Sequence, residues 1–196
     1  MIIIGLTGSI GMGKSATANM FRDEGIPVHD SDAAVHSLYS GLAVPVIAQH
    51  FPDAIVEGIV HRPTLGSLVL GNDEKMKLLE SLIHPLVEAR RAQFISGCKQ
   101  QLANLAVVDI PLLFEVGGIR HCDVIAVCSA SADVQEKRVL ARQGMTREKF
   151  AHIQSRQIPD REKRERAHVV IETGLGFDYA RRQVRAIIRA LSSSTG

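Results

Sequence analysis

Five short apolar runs alternate along the chain with segments of helical periodicity, and each run has the length of a buried strand. The runs lie at residues 1–7, 26–30, 105–109, 123–129 and 167–172. Buried strands that alternate with helices are typical of a parallel sheet covered by helices on both faces. The pattern therefore predicts an α/β fold with a five-stranded parallel sheet.

Helices are predicted between these strands, and the last of them has a strongly amphipathic pattern. They cover residues 14–24, 31–39, 133–143, a segment that begins at 146, and 177–191. Ser31 or Asp32 is expected to cap the second helix, because a short oxygen-bearing side chain accepts hydrogen bonds from the first N–H groups. The Ser-Ser-Ser-Thr-Gly tail at 192–196 is expected to be loose.

The region from residue 41 to residue 100 is less regular. Seven Gly and Pro residues interrupt 41–72 and favour short helical pieces. Asn72 and Asp73 then provide the N-terminus of a long helix. Pro85 lies inside its apolar pattern and is expected to break or kink the helix at His84, because its ring clashes with the preceding turn.

A glycine-rich motif lies between the first predicted strand and the first predicted helix. Residues 8–15 read Gly-Ser-Ile-Gly-Met-Gly-Lys-Ser and fit G-x-x-x-x-G-K-[ST], the phosphate-binding P-loop. Glycines let successive backbone N–H groups curl round a phosphate, and the helix N-terminus adds positive potential. Lys14 supplies a charge for the β- and γ-phosphates of a nucleotide, and the Ser15 hydroxyl can ligate Mg²⁺.

Three carboxylates lie at the ends of predicted strands or just after them, at the edge where α/β sheets bind ligands. Asp32 is the candidate that orients a hydroxyl nucleophile and accepts its proton, while Asp30 either shares this role or only orients its neighbours. Turn or helix-cap chemistry is the alternative for both. Asp109 is interpreted as a Walker B carboxylate for Mg²⁺. His84 either donates to a ligand or is structural.

Positive charge is concentrated in residues 137–166, which carry ten Lys or Arg against four Asp or Glu, although the whole chain has a net charge of only +2. Such a segment indicates a local polyanion such as phosphate. Nucleic acid is disfavoured, because Phe150 is the single aromatic residue in the segment. Arg138 and Arg142 are expected on one face of a helix, where a P-loop kinase carries its lid.

The composition is that of an ordinary globular domain. The chain has 196 residues, of which 45% are hydrophobic and 22% charged, so a single domain with a small insertion is expected. Its three cysteines form no C-x-x-C pair, which favours thiols in the reducing cytoplasm. The N-terminus lacks signal-peptide features, and no apolar run approaches the length that spans a membrane.

Together these motifs resemble those of the dephospho-coenzyme A kinase family. The resemblance rests on residues 7–15, on His-Asp-Ser-Asp at 29–32 with His36, on Ile-His-Pro-Leu-Val at 83–87, on Asp-Ile-Pro-Leu-Leu-Phe-Glu at 109–115, and on 137–148, Gln157 and 169–171. It extends from residue 1 to about 190. The 109–115 motif in particular separates this family from other small-molecule kinases. The chain departs from the family pattern at His168 and at Glu172-Thr173-Gly174, near the expected adenine site.

The resemblance implies the P-loop kinase fold, with a core at about 1–35, 101–137 and 166–196, a helical substrate-binding insertion at about 36–100, and a lid at about 138–165. It also implies the last step of coenzyme A biosynthesis, in which ATP and Mg²⁺ serve to phosphorylate the ribose 3′-hydroxyl of dephospho-coenzyme A. The expected partners are these two substrates, without nucleic acid or membrane, and the oligomeric state is left open.

Residue roles follow from the same resemblance. Asp32 corresponds to the base, Lys14 to the phosphate-binding lysine and Arg142 to the lid arginine. The ATP site is expected to comprise Gly8, Gly11, Met12, Gly13, Lys14, Ser15, Ala16, Arg138 and Arg142. The acceptor site is expected to comprise Asp30, Asp32, His84, Pro111, Leu112, Leu113, Phe114 and Glu115. Mg²⁺ is expected at Ser15 and Asp109.

Three other functions compete with this one. They are another small-molecule kinase, of the nucleoside monophosphate or shikimate type, a nucleotide-dependent switch, and a nucleic-acid-binding ATPase. The guanine-specific N-K-x-D and the switch motif D-x-x-G are both absent from the sequence, which disfavours the switch. The ATPase is suggested only by the basic segment.

Overall fold

The structure is a computed structural model that describes residues 1–193. The strands are β1 (Ile2–Thr7), β2 (Val28–Asp30), β3 (Ile55–Val56), β4 (Ile59–Val60), β5 (Leu105–Asp109), β6 (Val124–Ser129) and β7 (Val169–Glu172). The α-helices are α1 (Lys14–Asp23), α2 (Ser31–Tyr39), α3 (Ala43–His50), α4 (Arg62–Val69), α5 (Asp73–Gln100), α6 (Ala132–Leu140), α7 (Arg147–Ser155), α8 (Asp160–Glu165) and α9 (Phe177–Ser193). Short 3₁₀ helices cover Pro52–Ala54 and Gly118–His121.

The main sheet confirms the predicted α/β fold. Its five parallel strands follow the order β2-β5-β1-β6-β7. The central strand β1 pairs with β5, where Leu6 lies opposite Asp109, and with β6, where Leu6 lies opposite Ala126. All five residues of β5 are buried, as expected for an inner strand covered on both faces. The carboxyl ends of β1 and β5 therefore lie side by side.

The described part of the chain forms two compact units. The first contains Met1–His29 and residues 98–193, and the second contains Asp30–Gly97. The first unit has apolar clusters on the main sheet, with β1, α1 and α9 contributing to one of them. The second unit has its own core, in which Leu38, Ile47 and Leu65 are buried.

The second unit differs from the prediction in two places. The antiparallel hairpin of β3 and β4 was not predicted, because its Glu57-Gly58 turn lacks the usual Asn-Gly or Asp-Gly signal. Both turn residues have positive φ, 50° for Glu57 and 77° for Gly58. The predicted break at His84 is wrong, since α5 continues through Pro85 to Gln100. Proline removes one N–H from a helix, and a helix of 28 residues retains most of its other hydrogen bonds.

Three helix ends also differ from the prediction. The cap of α2 is Asp30, whose Oδ1 accepts from the Ala33 N–H at 2.9 Å, rather than Ser31 or Asp32. Helix α6 ends at Leu140, so Arg142 does not lie on the helix that carries Arg138. Helix α9 reaches Ser193, and the rest of the predicted loose tail lies outside the described residues.

The lid region contains one helix that was not predicted, α8 at Asp160–Glu165. The predicted helix start at Thr146 is confirmed, since Thr146 caps α7 by accepting from the Lys149 N–H. Ser131, which was not singled out from the sequence, caps α6 by accepting from the Val134 N–H. Within residues 1–193, none of the helices is both long enough and apolar enough to cross a membrane.

Candidate active site

The P-loop connects β1 to α1, and its glycines are required by both conformation and space. Gly11 and Gly13 have φ values of 80° and 84°, a region that side chains other than glycine rarely adopt. A Cβ at Gly11 would lie 2.6 Å from Val139 Cγ2, and a Cβ at Gly13 would lie 2.9 Å from Thr173 Oγ1. The loop is therefore packed tightly against α6 and the segment after β7.

Lys14 begins α1 and forms an ion pair at the carboxyl edge of the sheet. Its Nζ lies 2.5 Å from Oδ1 of Asp109, the last residue of β5. The side chains are 14% and 3% exposed, so the pair is largely shielded from solvent. A shielded ammonium beside a helix N-terminus makes this edge favourable for a phosphate.

Arg138 and Thr173 donate hydrogen bonds to backbone carbonyls of the P-loop. Arg138 donates through Nη1 to the Gly11 carbonyl at 3.4 Å and to Thr173 Oγ1 at 2.9 Å, and through Nη2 to the Thr173 carbonyl at 2.7 Å. Thr173 Oγ1 in turn donates to the Met12 carbonyl at 2.9 Å. Two carbonyl oxygens of the P-loop, those of Gly11 and Met12, thus accept hydrogen bonds from side chains outside the loop.

The segment after β5 is joined to the lid region through Glu115. Its Oε1 accepts from the Ile158 N–H at 3.0 Å and lies 2.9 Å from Nζ of Lys163, a residue that is fully buried. Desolvation by itself would raise the pKa of Glu115, but the hydrogen bonds and charge of Lys163 and the Ile158 N–H outweigh it. The pKa of Glu115 is consequently lowered, and the carboxylate is ionised at neutral pH.

The rest of the 109–115 motif packs into the first unit. Leu113 and Phe114 are buried, whereas Leu112 is 37% exposed. The Pro111 carbonyl accepts from Thr7 Oγ1 at 3.0 Å, which ties the motif to the end of β1. Phe114 also carries the Arg166 guanidinium 4.6 Å above its ring centroid.

The candidate residues of the second unit lie on its helices. Asp30 ends β2 and caps α2, and Asp32 lies exposed in the first turn of α2. His84 lies exposed in α5, directly before Pro85. The sequence left open whether Asp30 has a functional role or caps a helix. The structure shows the capping role, because its Oδ1 accepts from a backbone N–H in the first turn of α2.

A magnesium site is compatible with the residues at the P-loop. Asp109 offers a carboxylate at the end of β5, and Ser15 follows Lys14 on α1. Mg²⁺ keeps several waters and is usually held by one or two carboxylates together with substrate phosphates. One carboxylate and one hydroxyl beside a phosphate-binding loop therefore fit this ion.

Comparisons with known proteins identify the family. The dephospho-CoA kinase family model matches residues 2–176. The dephospho-CoA kinase of Mesorhizobium japonicum is 52% identical over 196 residues, which is all of both chains. That of Brucella melitensis is 50% identical over 192 residues, or 98% of this chain and 96% of the relative. The crystal structure of TT1252 from Thermus thermophilus has a TM-score of 0.84 at 34% identity and covers 97% of each chain.

The chain belongs to the dephospho-CoA kinase family. This kinase therefore has the P-loop kinase fold that the sequence motifs predicted, and the resemblance of its motifs to this family is confirmed. Its two departures from the family pattern have structural roles. His168 Nδ1 accepts from the Ile125 N–H at 3.1 Å, and Thr173 fastens the P-loop as described above.

Several residues of this kinase's site were not singled out from the sequence. Gln135 and Gln154 link α6 and α7, and Lys163 was noted only as one of many basic residues. A buried glutamine or lysine has no sequence signature, because its burial depends on neighbours distant in the chain. Arg142, which was singled out, lies exposed in the turn after α6.

Proposed function

We propose that this kinase transfers the γ-phosphoryl group of ATP to the ribose 3′-hydroxyl of dephospho-CoA, giving CoA and ADP. The observation that carries the proposal is the P-loop, with the Lys14 ammonium 2.5 Å from Asp109 at the carboxyl edge of the sheet. Full-length identity of 52% to a dephospho-CoA kinase supports the choice of acceptor. The final step of CoA biosynthesis is the pathway position that this reaction would occupy.

The nucleotide would be bound mainly by the P-loop. Backbone N–H groups of Gly8 and of residues 11–16 would contribute to phosphate binding, and Lys14 would exchange part of its contact with Asp109 for the β- and γ-phosphates. Asp109 and Ser15 would hold Mg²⁺, which supplies charge neutralisation on the phosphate oxygens when bound. Arg138 already binds the Gly11 carbonyl, and this position supports a role beside the nucleotide.

The acceptor roles proposed here follow the family motifs, residue by residue. Asp32 is the proposed base: as the 3′-oxygen bonds to the γ-phosphorus and the bond to the ADP oxygen breaks, its carboxylate takes the hydroxyl proton. Its exposure at the start of α2 leaves it accessible to a substrate. Asp30, His84 and the segment Pro111–Glu115 are proposed to line the acceptor site. Arg142 would contact the transferring phosphoryl group when the lid closes.

We also propose that the kinase works in the cytoplasm with these two small molecules as its partners. The thiols of Cys98, Cys122 and Cys128 suit a reducing compartment. The basic segment supports phosphate binding in preference to nucleic acid, because several of its charges are engaged within the protein. Lys163 is paired with Glu115, and Arg166 with Glu162.

The test is a coupled assay of ADP release with a panel of acceptors. ADP release should require dephospho-CoA and magnesium, and should stay at background with shikimate, with nucleoside monophosphates and with no acceptor. Preference for shikimate or for a nucleoside monophosphate would overturn the proposed substrate. Slow hydrolysis that ignores every acceptor would instead indicate a nucleotide-dependent switch.

A further inference from the structure

Both backbone polar groups of Ile10, within the P-loop, are bound by glutamine side chains from outside the loop. The Ile10 N–H donates to Oε1 of Gln157 at 3.1 Å. The Ile10 carbonyl accepts from Nε2 of Gln135 at 2.7 Å. Gln135 is on α6 and is only 4% exposed, while Gln157 follows α7 and is half-buried. One residue of the phosphate-binding loop is therefore hydrogen-bonded to side chains from two separate segments, α6 and the segment after α7.

A third glutamine connects Gln135 to α7. Gln154, in the last turn of α7, donates from Nε2 to Oε1 of Gln135 at 3.1 Å. The side-chain hydrogen bonds thus run from α7 to α6 and on to the P-loop. Gln135 lies just before the predicted lid at 138–165, and Gln157 lies within it. These contacts therefore link one P-loop residue to the start and to the interior of the lid region.

The direction of these bonds indicates what they do. The Ile10 N–H points to Gln157, so it is not one of the amides that can face a phosphate. Its neighbour Gly11 has a φ of 80°, and a Cβ there would lie 3.0 Å from the Gln135 carbonyl. The two hydrogen bonds to Ile10 therefore hold the loop next to Gly11, whose backbone conformation and surroundings leave little room for change.

We infer that Gln135 and Gln157 are positioning residues that hold the P-loop in its phosphate-binding shape and couple that shape to the placement of the lid. The inference rests on the proposed function only in taking a nucleotide as the P-loop ligand. Coupling between two sites is reciprocal, so a nucleotide on the P-loop should also order the lid. A role in stability alone would alter unfolding but leave nucleotide affinity unchanged.

The experiment compares ADP binding by calorimetry for wild type, Gln157→Met, Gln135→Met and the double variant. Methionine keeps the length of glutamine and removes its hydrogen bonds. Each single variant should weaken ADP binding about tenfold, the effect expected when a partly buried backbone group loses its partner. The double variant should lose less than the product of the two, because both glutamines act on one residue. Gln101→Met, at an exposed position after α5, is the matched control and should bind ADP like wild type.

The lid is followed separately by limited trypsin digestion, since Arg142 and Arg147 are exposed there. Saturating ADP should slow cleavage in wild type and in Gln101→Met, but much less in Gln157→Met. The inference is overturned if Gln157→Met melts at a lower temperature yet binds ADP within twofold of wild type. Multiplicative losses in the double variant also contradict it. Gln157 is half-buried, so its variant should fold and decides the question even if Gln135→Met does not. If wild type itself fails to bind ADP, the proposed function fails instead.

Discussion

The buried ion pair between Glu115 and Lys163 allows a quantitative prediction. The Lys163 side chain is fully buried, and Glu115 Oε1 lies 2.9 Å from its Nζ. Glu115→Gln keeps the size of the side chain but leaves the ammonium without a counter-charge. Removing one partner of a buried pair costs about 3–5 kcal/mol, because the remaining charge is still desolvated. For a chain of this length, that loss lowers Tm by roughly 6–20 °C.

Thermal and urea unfolding followed by circular dichroism would measure the effect. Glu162→Gln is the matched control, since it removes an i,i+4 pair with Arg166 in which the two side chains are 51% and 40% exposed. Exposed pairs of this kind contribute about 0–1 kcal/mol. The double change Glu115→Met with Lys163→Met should recover most of the lost stability, because an apolar pair of similar volume carries no desolvated charge.

The same pair predicts a pH dependence with a definite sign. The pKa of Glu115 is lowered in the folded protein from its ordinary value of 4.5. The stability that its carboxylate contributes is therefore complete above pH 4.5 and is lost as the pH falls through the lower folded pKa. The difference in stability between wild type and Glu115→Gln should shrink over that range. If Glu115→Gln costs no more than Glu162→Gln at neutral pH, the argument from burial is wrong.

Three further predictions concern catalysis. Lys14→Ala should lower turnover by about 10²–10³-fold in a folded protein, because it removes a charge from the transferring phosphate; steady-state ADP release measures this, and near-native turnover would contradict the P-loop role. Arg142→Ala should reduce turnover more than ATP affinity, since its contact is expected only in the closed complex; a loss of affinity alone, measured by calorimetry, would indicate a ground-state contact. Asp32→Asn should lower turnover with dephospho-CoA by roughly 10²-fold or more, with little change in ATP binding. Asp30→Asn should lower the same turnover by a smaller factor. The reverse order of these two variants would make Asp30 the base, and no loss in either would leave only turn and cap chemistry.

Local sequence signals predicted most of the elements. The continuous apolar runs predicted buried parallel strands, because both faces of such a sheet are covered and no polar alternation is needed. The P-loop, with its glycines, lysine and flanking strand and helix, predicted both its own conformation and the edge of the sheet where it lies. Thr146 and Asn72 were expected at helix starts, and both accept a backbone N–H there, from Lys149 and Lys75. These features depend on residues within a few positions of each other.

The prediction failed where distant residues determine the outcome. Pro85 has an intrinsic cost in a helix, yet α5 continues through it, and the end of α6 before Arg142 has no glycine or proline signal at Leu140. The P-loop contacts of Gln157 and Thr173 span 147 and 161 residues of sequence. The sequence by itself determined the five strands of the main sheet, the phosphate-binding loop and the family, because each has a local pattern. The tertiary structure alone decided that Glu115 forms an ion pair with the buried Lys163 and that two glutamines hydrogen-bond to the backbone of Ile10. Hydrogen bonding and burial depend on which distant segments of the chain pack together in the fold.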